Sequence, residues 1–409
     1  ANKNDRKFLG FAPRELVERG RGASVIRQNP ADFARNTFEL CPTNTAKFYI
    51  QRNWKRLPDM SQKKKILIIG YGGTIVMVVD ETRKAVVPAK NLDEILAKLP
   101  TINDVADIDM DFLSNEDSTN VGPNDWTRIA IYIRDKHDQY DAFVITHGTN
   151  TLAYTASALT LALGTGLKKP IVLTGSQLPL SVYGNDARFN FENAIKTAAE
   201  ASKRDINEVM IVFSDTILRG CRSVKVSESS FRAFASPAFP PIGSITSTGI
   251  HFSHDARTSD SSIPFSISPH FHPNIVSLDL TPGQSPALVE ELVQSGKCKG
   301  VILKSHGAGS VPTIGEHSFL PFIEKTVRQY KIPVIVSTKF LGGNAYKEVN
   351  DECAVLAIEA GAIPGGDLTD VMTEVKLMWI LAQGSFGEKQ IRNRILSNTV
   401  GEISSMALI

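Results

Sequence analysis

Short runs of consecutive apolar residues recur along the chain, each closing on a glycine or a polar turn. Ile66-Leu67-Ile68-Ile69-Gly70 is the first. A run of this length without polar alternation predicts a strand buried on both faces, as in a parallel sheet. Residues 142–146, 171–174 and 209–213 read the same way. Between these runs the apolar spacing changes to that of one helix face, over residues 92–99, 125–136, 151–163 and 190–202. Strands alternating with helices imply βαβ units.

The texture changes after about residue 247. Residues 248–272 are rich in Ser, His and Pro and read as a linker. The alternation then resumes, with apolar runs at 275–278, 300–304 and 333–336 and helical patterns at 286–295, 316–330, 350–361 and 369–383. The expected organisation is an N-terminal extension at 1–65, a larger α/β domain at 66–247, the linker, and a smaller α/β domain at 273–409.

The extension changes the picture of charge. The whole chain of 409 residues has 45 Lys and Arg against 43 Asp and Glu, a net +2. Residues 1–65 alone have 15 basic against 6 acidic residues, leaving 30 against 37 for the remainder. Phe8, Phe11, Phe33, Phe38 and Trp54 lie among those basic residues. A basic arm with scattered apolar anchors is the pattern of a segment that wraps or docks on an acidic surface. Packing on its own body, on a sister subunit or on a protein partner are the favoured readings. Nucleic acid is the weaker one, since the arm has no recognisable nucleic-acid motif.

A composition of 42% hydrophobic and 22% charged residues excludes a disordered or collagen-like chain. No stretch reaches 18 consecutive apolar residues, so no transmembrane helix is expected. Cys41, Cys221, Cys298 and Cys353 are widely separated and imply neither a disulfide framework nor a zinc ribbon. A reducing compartment follows, the cytoplasm or, given Ala1 and the Arg-rich start, a mitochondrial matrix.

In open α/β sheets ligands bind at the carboxyl ends of the strands. Three loops at such positions carry chemistry. Gly70-Tyr71-Gly72-Gly73-Thr74-Ile75 follows the first strand; its glycines permit close backbone approach and Thr74 offers a hydroxyl. The spacing is not that of a dinucleotide fingerprint, and a tight structural turn is the competing reading. Thr146-His147-Gly148-Thr149-Asn150-Thr151 places hydroxyls and an amide before a helix, where developing negative charge is favoured or where a plain N-cap would sit. Glu116-Asp117-Ser118-Thr119-Asn120 offers a carboxylate and hydroxyls for a zwitterionic ligand, or an Asx turn.

Taken in order, GGTI (72–75), DST (117–119), HGTNTLAYTASAL (147–159), GSQLP (175–179) and RGCRSVK (219–225) resemble the bacterial-type L-asparaginases, most of all the type I, cytosolic branch. AFASPAFPP (233–241) and GAIPGGDLT (361–369) extend the resemblance over about residues 66–385. It implies two α/β domains assembled as homo-oligomers, dimers or tetramers, and hydrolysis of asparagine to aspartate and ammonia without metal or organic cofactor. A threonine attacks the amide carbon, backbone N–H groups hold the oxyanion, and a threonine–aspartate–lysine triad moves protons. By the resemblance Thr74 is the nucleophile, Thr149 and Lys225 belong to the triad, and Asp117 and Ser118 bind the substrate's amino and carboxylate groups.

Two positions depart. Asn150 stands where the family has the triad aspartate. An amide is nearly isosteric but neutral, so Lys225 loses an anionic partner. The loop after GGTI contains no tyrosine, and Val86 falls about where the family places one; Tyr71 lies on the wrong side of the turn to replace it. In the second domain GAGS (307–310) stands where family members often place an asparagine, and 337–343 lacks the cysteine of an allosteric pocket. Two functions are therefore expected: a protein of weak or lost amidase activity that serves as a subunit through residues 1–65, or a working asparaginase with an altered proton relay. An amidotransferase subunit feeding ammonia to a partner is a third. His251, His254, His270 and His272 invite a metal reading, but they lie in the expected linker and no metal is implied by the resemblance. Cys221, near Lys225, is expected to be a passive small residue.

Overall fold

The structure, a computed structural model, describes residues 63–73, 75, 77–80, 85–88, 102–346 and 351–404. Most of the basic arm, the helix expected at 92–99, Thr74 and Cys41 lie outside the described residues. Strand β1 (Lys64–Tyr71) is followed by β2 (Met77–Asp80), β3 (Ala85–Pro88), β4 (Ala106–Ser114), β5 (Ala142–His147), β6 (Ile171–Thr174), β7 (Val209–Phe213) and β8 (Thr216–Arg219). Short strands β9 (Val224–Lys225) and β10 (Phe234–Ala235) precede β11 (Gly243–Thr246) and β12 (Gly249–Phe252). The C-terminal domain adds β13 (Ile275–Asp279), β14 (Gly300–Ser305), β15 (Val334–Thr338) and β16 (Ile363–Pro364).

The chain forms a two-domain α/β fold. The large sheet runs β12-β11-β8-β7-β6-β5-β1-β4. Strands β4, β1, β5, β6 and β7 are parallel, and β8, β11 and β12 extend the sheet antiparallel. Its helices are α1 (Pro123–Lys136), α2 (Leu152–Leu163) and α3 (Ala187–Lys203). The four contiguous apolar residues of β1 are all fully buried, as a parallel strand covered on both faces requires. Their alternation divides the core. Leu67, Ile69 and Tyr71 face the layer of α1 and α2, while Ile66 and Ile68 face the layer of α3.

The small sheet, β13-β14-β15-β16, is parallel throughout. Its helices are α4 (Ala287–Gln294), α5 (Leu320–Arg328), α6 (Glu352–Glu359), α7 (Asp370–Ala382) and α8 (Glu388–Leu396). One hydrophobic cluster joins α2 of the first domain to Ile302, Ile335, Ile363 and α7 of the second, so the two domains share core. Helix α2 is covered all round; it packs on the large sheet and on α7, and all but one of its residues are buried.

Strand β4 carries no apolar run, because it alternates. Asp107, Asp109 and Asp111 interleave with Ala106, Ile108 and Met110, as a half-exposed edge strand should. The segment read as a linker is partly regular: Gly249–Phe252 is strand β12, hydrogen-bonded to β11. Residues 77–80 and 85–88 of the loop after GGTI pair as an antiparallel hairpin, with Val86 opposite Val79.

Candidate functional site

The parallel order β4-β1-β5-β6 sets four strand ends side by side, and the singled-out loops leave from those ends. The backbone turns tightly after β1, with φ of 76° at Gly72 and 87° at Gly73. A Cβ at Gly72 would stand 2.4 Å from the Glu116 carbonyl oxygen, and one at Gly73 2.6 Å from the His147 carbonyl carbon. Only glycine combines that conformation with that contact. The GGTI turn is thereby pressed between the 116–120 segment and the end of β5.

Strand β5 ends in His147, whose ring is fully buried. Its Nδ1–H donates to the Gly148 carbonyl oxygen at 2.8 Å, so Nε2 accepts from Thr155 Oγ1 at 3.0 Å. Burial holds the imidazole down at about 4, so it is neutral and structural. Gly148 then admits Ser118: a Cβ there would meet Ser118 Oγ at 2.5 Å. Thr151 Oγ1 donates to the Ser118 carbonyl oxygen at 2.6 Å and locks the two loops together. Ser118 is buried and Asp117 is exposed. Asp117 caps the short turn Ser118–Asn120, accepting from the Thr119 N–H at 2.8 Å. The backbone and side chain of Thr119 hold its carboxyl below the usual range.

Lys225 arrives from another part of the chain, and its strand is tightly anchored. Arg222 is buried, donating from Nη1 to Asp367 Oδ2 at 2.9 Å and from Nε to the Gly401 carbonyl at 2.8 Å. Arg219 pairs with buried Glu208 at 2.8 Å. These bonds fix the RGCRSVK segment, and β9 pairs with β10 through Lys225 and Phe234. Lys225 Nζ then donates to Thr149 Oγ1 and to Asn150 Oδ1, each at 2.9 Å. Asn150 Nδ2 donates in turn to Thr119 Oγ1 at 3.3 Å. Partial burial holds the Lys225 ammonium below its ordinary value, with Glu228 acting in the opposite sense.

Thr149, Asn150 and Lys225 are thus brought into one hydrogen-bonded group, with Thr119 attached to it, and Asp117 and Ser118 lie on the adjoining turn. Tyr71 is turned away from them. It is buried, stacked on His147 with ring centroids 6.1 Å apart, and donates to Asp125 Oδ1 at 2.6 Å while accepting from Arg128 Nη2. Burial and the Asp125 carboxylate push its phenol well above the ordinary value, as for a residue packed in the core.

Cys221 is also passive: burial pushes its thiol up to about 12. His251 Nε2 is engaged by Thr246 and Thr248, and His272 Nδ1 accepts from the Asn274 N–H. Among the described residues no group of three or more His, Cys, Asp or Glu could hold a metal ion. None of their helices is long and apolar enough to cross a membrane.

Residue-by-residue reading of the sequence passes over the residues that shape the loops. Gln177 of GSQLP donates from Nε2 to the Ser230 carbonyl at 3.1 Å, joining the β6 loop to the β9–β10 connection. Asp186 accepts from the Gln177 and Leu178 N–H groups, and Asn190 Nδ2 donates to the Gly175 carbonyl at 2.9 Å. A polar Asp and Asn at the start of an otherwise apolar-faced α3 are the signal that could have found them.

The ends of these parallel strands thus gather Thr149 and Asn150 on Lys225, with Thr119 joined through Asn150. The family model Asparaginase, N-terminal matches residues 65–258, and Glutaminase/Asparaginase C-terminal domain matches residues 274–394. The chain belongs to the asparaginase family. It is 34% identical over 342 residues to an L-asparaginase of Thermococcus kodakarensis, covering 83% of this chain and 99% of that protein. The solved structure of the thermostable L-asparaginase from Thermococcus kodakarensis superposes with a TM-score of 0.74 at 33% identity, over 83% of this chain and 99% of that one. L-asparaginase 1 of Escherichia coli K12 is 33% identical over 84% of this chain and 99% of its own length. A Glutamyl-tRNA(Gln) amidotransferase subunit of Methanosarcina mazei is 31% identical over 87% of this chain and 84% of its own.

Proposed function

We propose that this protein binds L-asparagine or a similar amino-acid amide and hydrolyses it weakly, using one water to yield the acid and ammonia, and that residues 1–65 tie it to a larger assembly. The observation that carries the reading is the Lys225 bridge between Thr149 Oγ1 and Asn150 Oδ1. A neutral Lys225 amine can give one N–H to the amide oxygen and point its lone pair at the Thr149 hydroxyl, 2.9 Å away. Thr149 would then relay a proton from the attacking group to the amine. When Lys225 takes that proton, a carboxylate would stabilise the ammonium more than an amide does, so the step runs with less electrostatic help. Thr74 is assigned the nucleophile's role on the family resemblance, and Asp117 and Ser118 the grip on the substrate's amino and carboxylate groups.

The test is ammonia release from L-asparagine and L-glutamine by the full chain. Low activity that Thr74→Ala abolishes and Asn150→Asp raises about tenfold or more supports the reading. Activity unchanged by Thr74→Ala overturns the assigned chemistry. No release from any variant leaves a binding or structural role. A second reading, a component of an amidotransferase, is favoured by the similarity to the Methanosarcina mazei protein and by the basic charge of residues 1–65. It predicts that ammonia release becomes appreciable only when a partner protein is added. The proposed homo-oligomer, a dimer or tetramer, is read from the molar mass in solution.

A further inference from the structure

We propose that the C-terminal segment 399–404 is a positioning element of the site: by completing the seat of Arg222 it holds Lys225 on Thr149 and Asn150. The proposal rests on the amidohydrolase reading, in which Lys225 moves a proton, and adds the groups that place that lysine. The strand under Lys225 is slight. β9 and β10 have two residues each and form a two-stranded sheet apart from the two larger sheets. So short a pair has little stability of its own. Its position is set by side chains anchored beside it.

The anchor lies three residues upstream. Arg222 ends the short turn Gly220–Arg222, which Ser223 closes by donating from Oγ to the Arg219 carbonyl oxygen at 2.7 Å. The buried Arg222 guanidinium meets two other parts of the chain at once. Asp367, after β16 in the second domain, accepts from Nη1 at 2.9 Å. The C-terminal segment takes the rest: Nε donates to the Gly401 carbonyl oxygen at 2.8 Å and Nη2 to Ser404 Oγ at 3.4 Å. Ser404 also fixes Asp367, donating from its backbone N–H to Oδ1 at 2.8 Å and from Oγ to Oδ2 at 2.5 Å. A planar guanidinium engaged at all three nitrogens has no free rotation left. The segment is held from behind as well, since Glu402 accepts from the Thr399 and Val400 N–H groups and pairs with Lys376 of α7. Support therefore runs from α7 through residues 399–404 to Arg222, and along three residues of backbone to Lys225. At that end Nζ stands 2.9 Å from both Thr149 Oγ1 and Asn150 Oδ1. A displacement of about 1 Å is enough to break both bonds.

The readout is the reactivity of Lys225 in the full chain, measured as its acetylation by acetic anhydride against pH with peptide mass detection, well below the thermal midpoint of each variant. Asparagine kcat and KM are recorded beside it. The variants are Asp367→Asn, whose NH2 meets a donor in either orientation, Ser404→Ala and Ser404→Thr. Glu228, whose charge also acts on Lys225, is unchanged in all of them. Lys225 released from its partly buried place should titrate higher, by about 0.5 unit or more in Asp367→Asn and about half as much in Ser404→Ala. The sign separates placement from charge, because deleting the Asp367 anion would by itself move a nearby ammonium downward. The value of kcat should fall about tenfold in Asp367→Asn and about threefold in Ser404→Ala, with KM little changed. Ser404→Thr keeps the hydroxyl and should behave as the unmodified protein. An unchanged or lowered Lys225 titration in Ser404→Ala overturns the proposal, whether or not Asp367→Asn folds. A lowered thermal midpoint with Lys225 unaltered overturns it as well, since that marks a brace serving the fold alone. So does a rise in KM alone, which marks a substrate contact. The labelling decides the placement even if no variant hydrolyses asparagine, in which case the amidohydrolase reading fails separately.

Discussion

Two lysines of this protein meet their partners in opposite ways. Lys376, in the middle of α7, is fully buried and pairs with Glu402 at 2.7 Å. It also donates to the Ile395 and Ser397 carbonyls at 2.8 and 2.7 Å. Burial pulls its ammonium below the ordinary value, and the Glu402 carboxylate opposes that pull. Burial alone would raise the Glu402 carboxyl; the Lys376 ammonium and the Val400 N–H more than offset it and hold the acid below its usual range. Lys225 is half-buried and faces an amide and a hydroxyl; partial burial lowers it, and its amide partner carries no charge to oppose the shift. The first lysine fastens the C-terminal segment to α7 through an anion. The second is held in place by neutral groups. A carboxylate partner confers both orientation and charge, whereas an amide confers orientation alone.

The comparison is broken most forcefully at Glu402. Glu402→Gln leaves a buried ammonium without its anion and should cost about 3–5 kcal/mol, read as a lowered urea midpoint. Replacing both members, as Lys376→Met with Glu402→Leu, should recover most of that loss. The pH dependence has a definite sign. The folded-state acid is depressed, so its contribution is full above the unfolded carboxyl range near ~4.3 and is lost as pH falls through the folded value. Glu402→Gln should flatten that part of the stability profile.

Lys225→Ala should do the reverse. It should lower amidase activity by about a hundredfold or more, equivalent to about 2.7 kcal/mol in the barrier, with little change in thermal midpoint. A large loss of stability instead would make Lys225 a second Lys376 and would sink its assignment to the relay. The smallest effect is expected at Tyr71. Tyr71→Phe deletes the hydrogen bond to Asp125 while the ring keeps its stack on His147, and should cost about 1 kcal/mol with kcat unchanged. A fall in kcat of about tenfold or more would show that Tyr71 takes part in the chemistry after all.

What could be read in advance follows the physics of each element. The central strands are legible because burial on both faces demands unbroken apolar runs, as in Ile66 to Ile69. Strand β4 carries three aspartates in alternation, and its signal is a period of two that an apolar-run reading passes over. Helix α8, Glu388–Leu396, buries only Ile391 and Ile395 and so leaves a weak pattern. At the site, Thr149, Asn150 and Lys225 are legible from motifs, while Thr119 shows only as part of one.

The chain's sequence alone determined the two-domain α/β fold, the family and the strand-end loops. These depend on local composition and on residues adjacent in the chain. Tertiary structure alone decided that Lys225, 75 residues beyond Asn150, reaches its oxygen, that Thr119, 31 residues before it, takes its nitrogen, and that Tyr71 is occupied in the core. An amide's orientation is set by which donor and which acceptor the fold brings to its two ends. No local pattern encodes that choice.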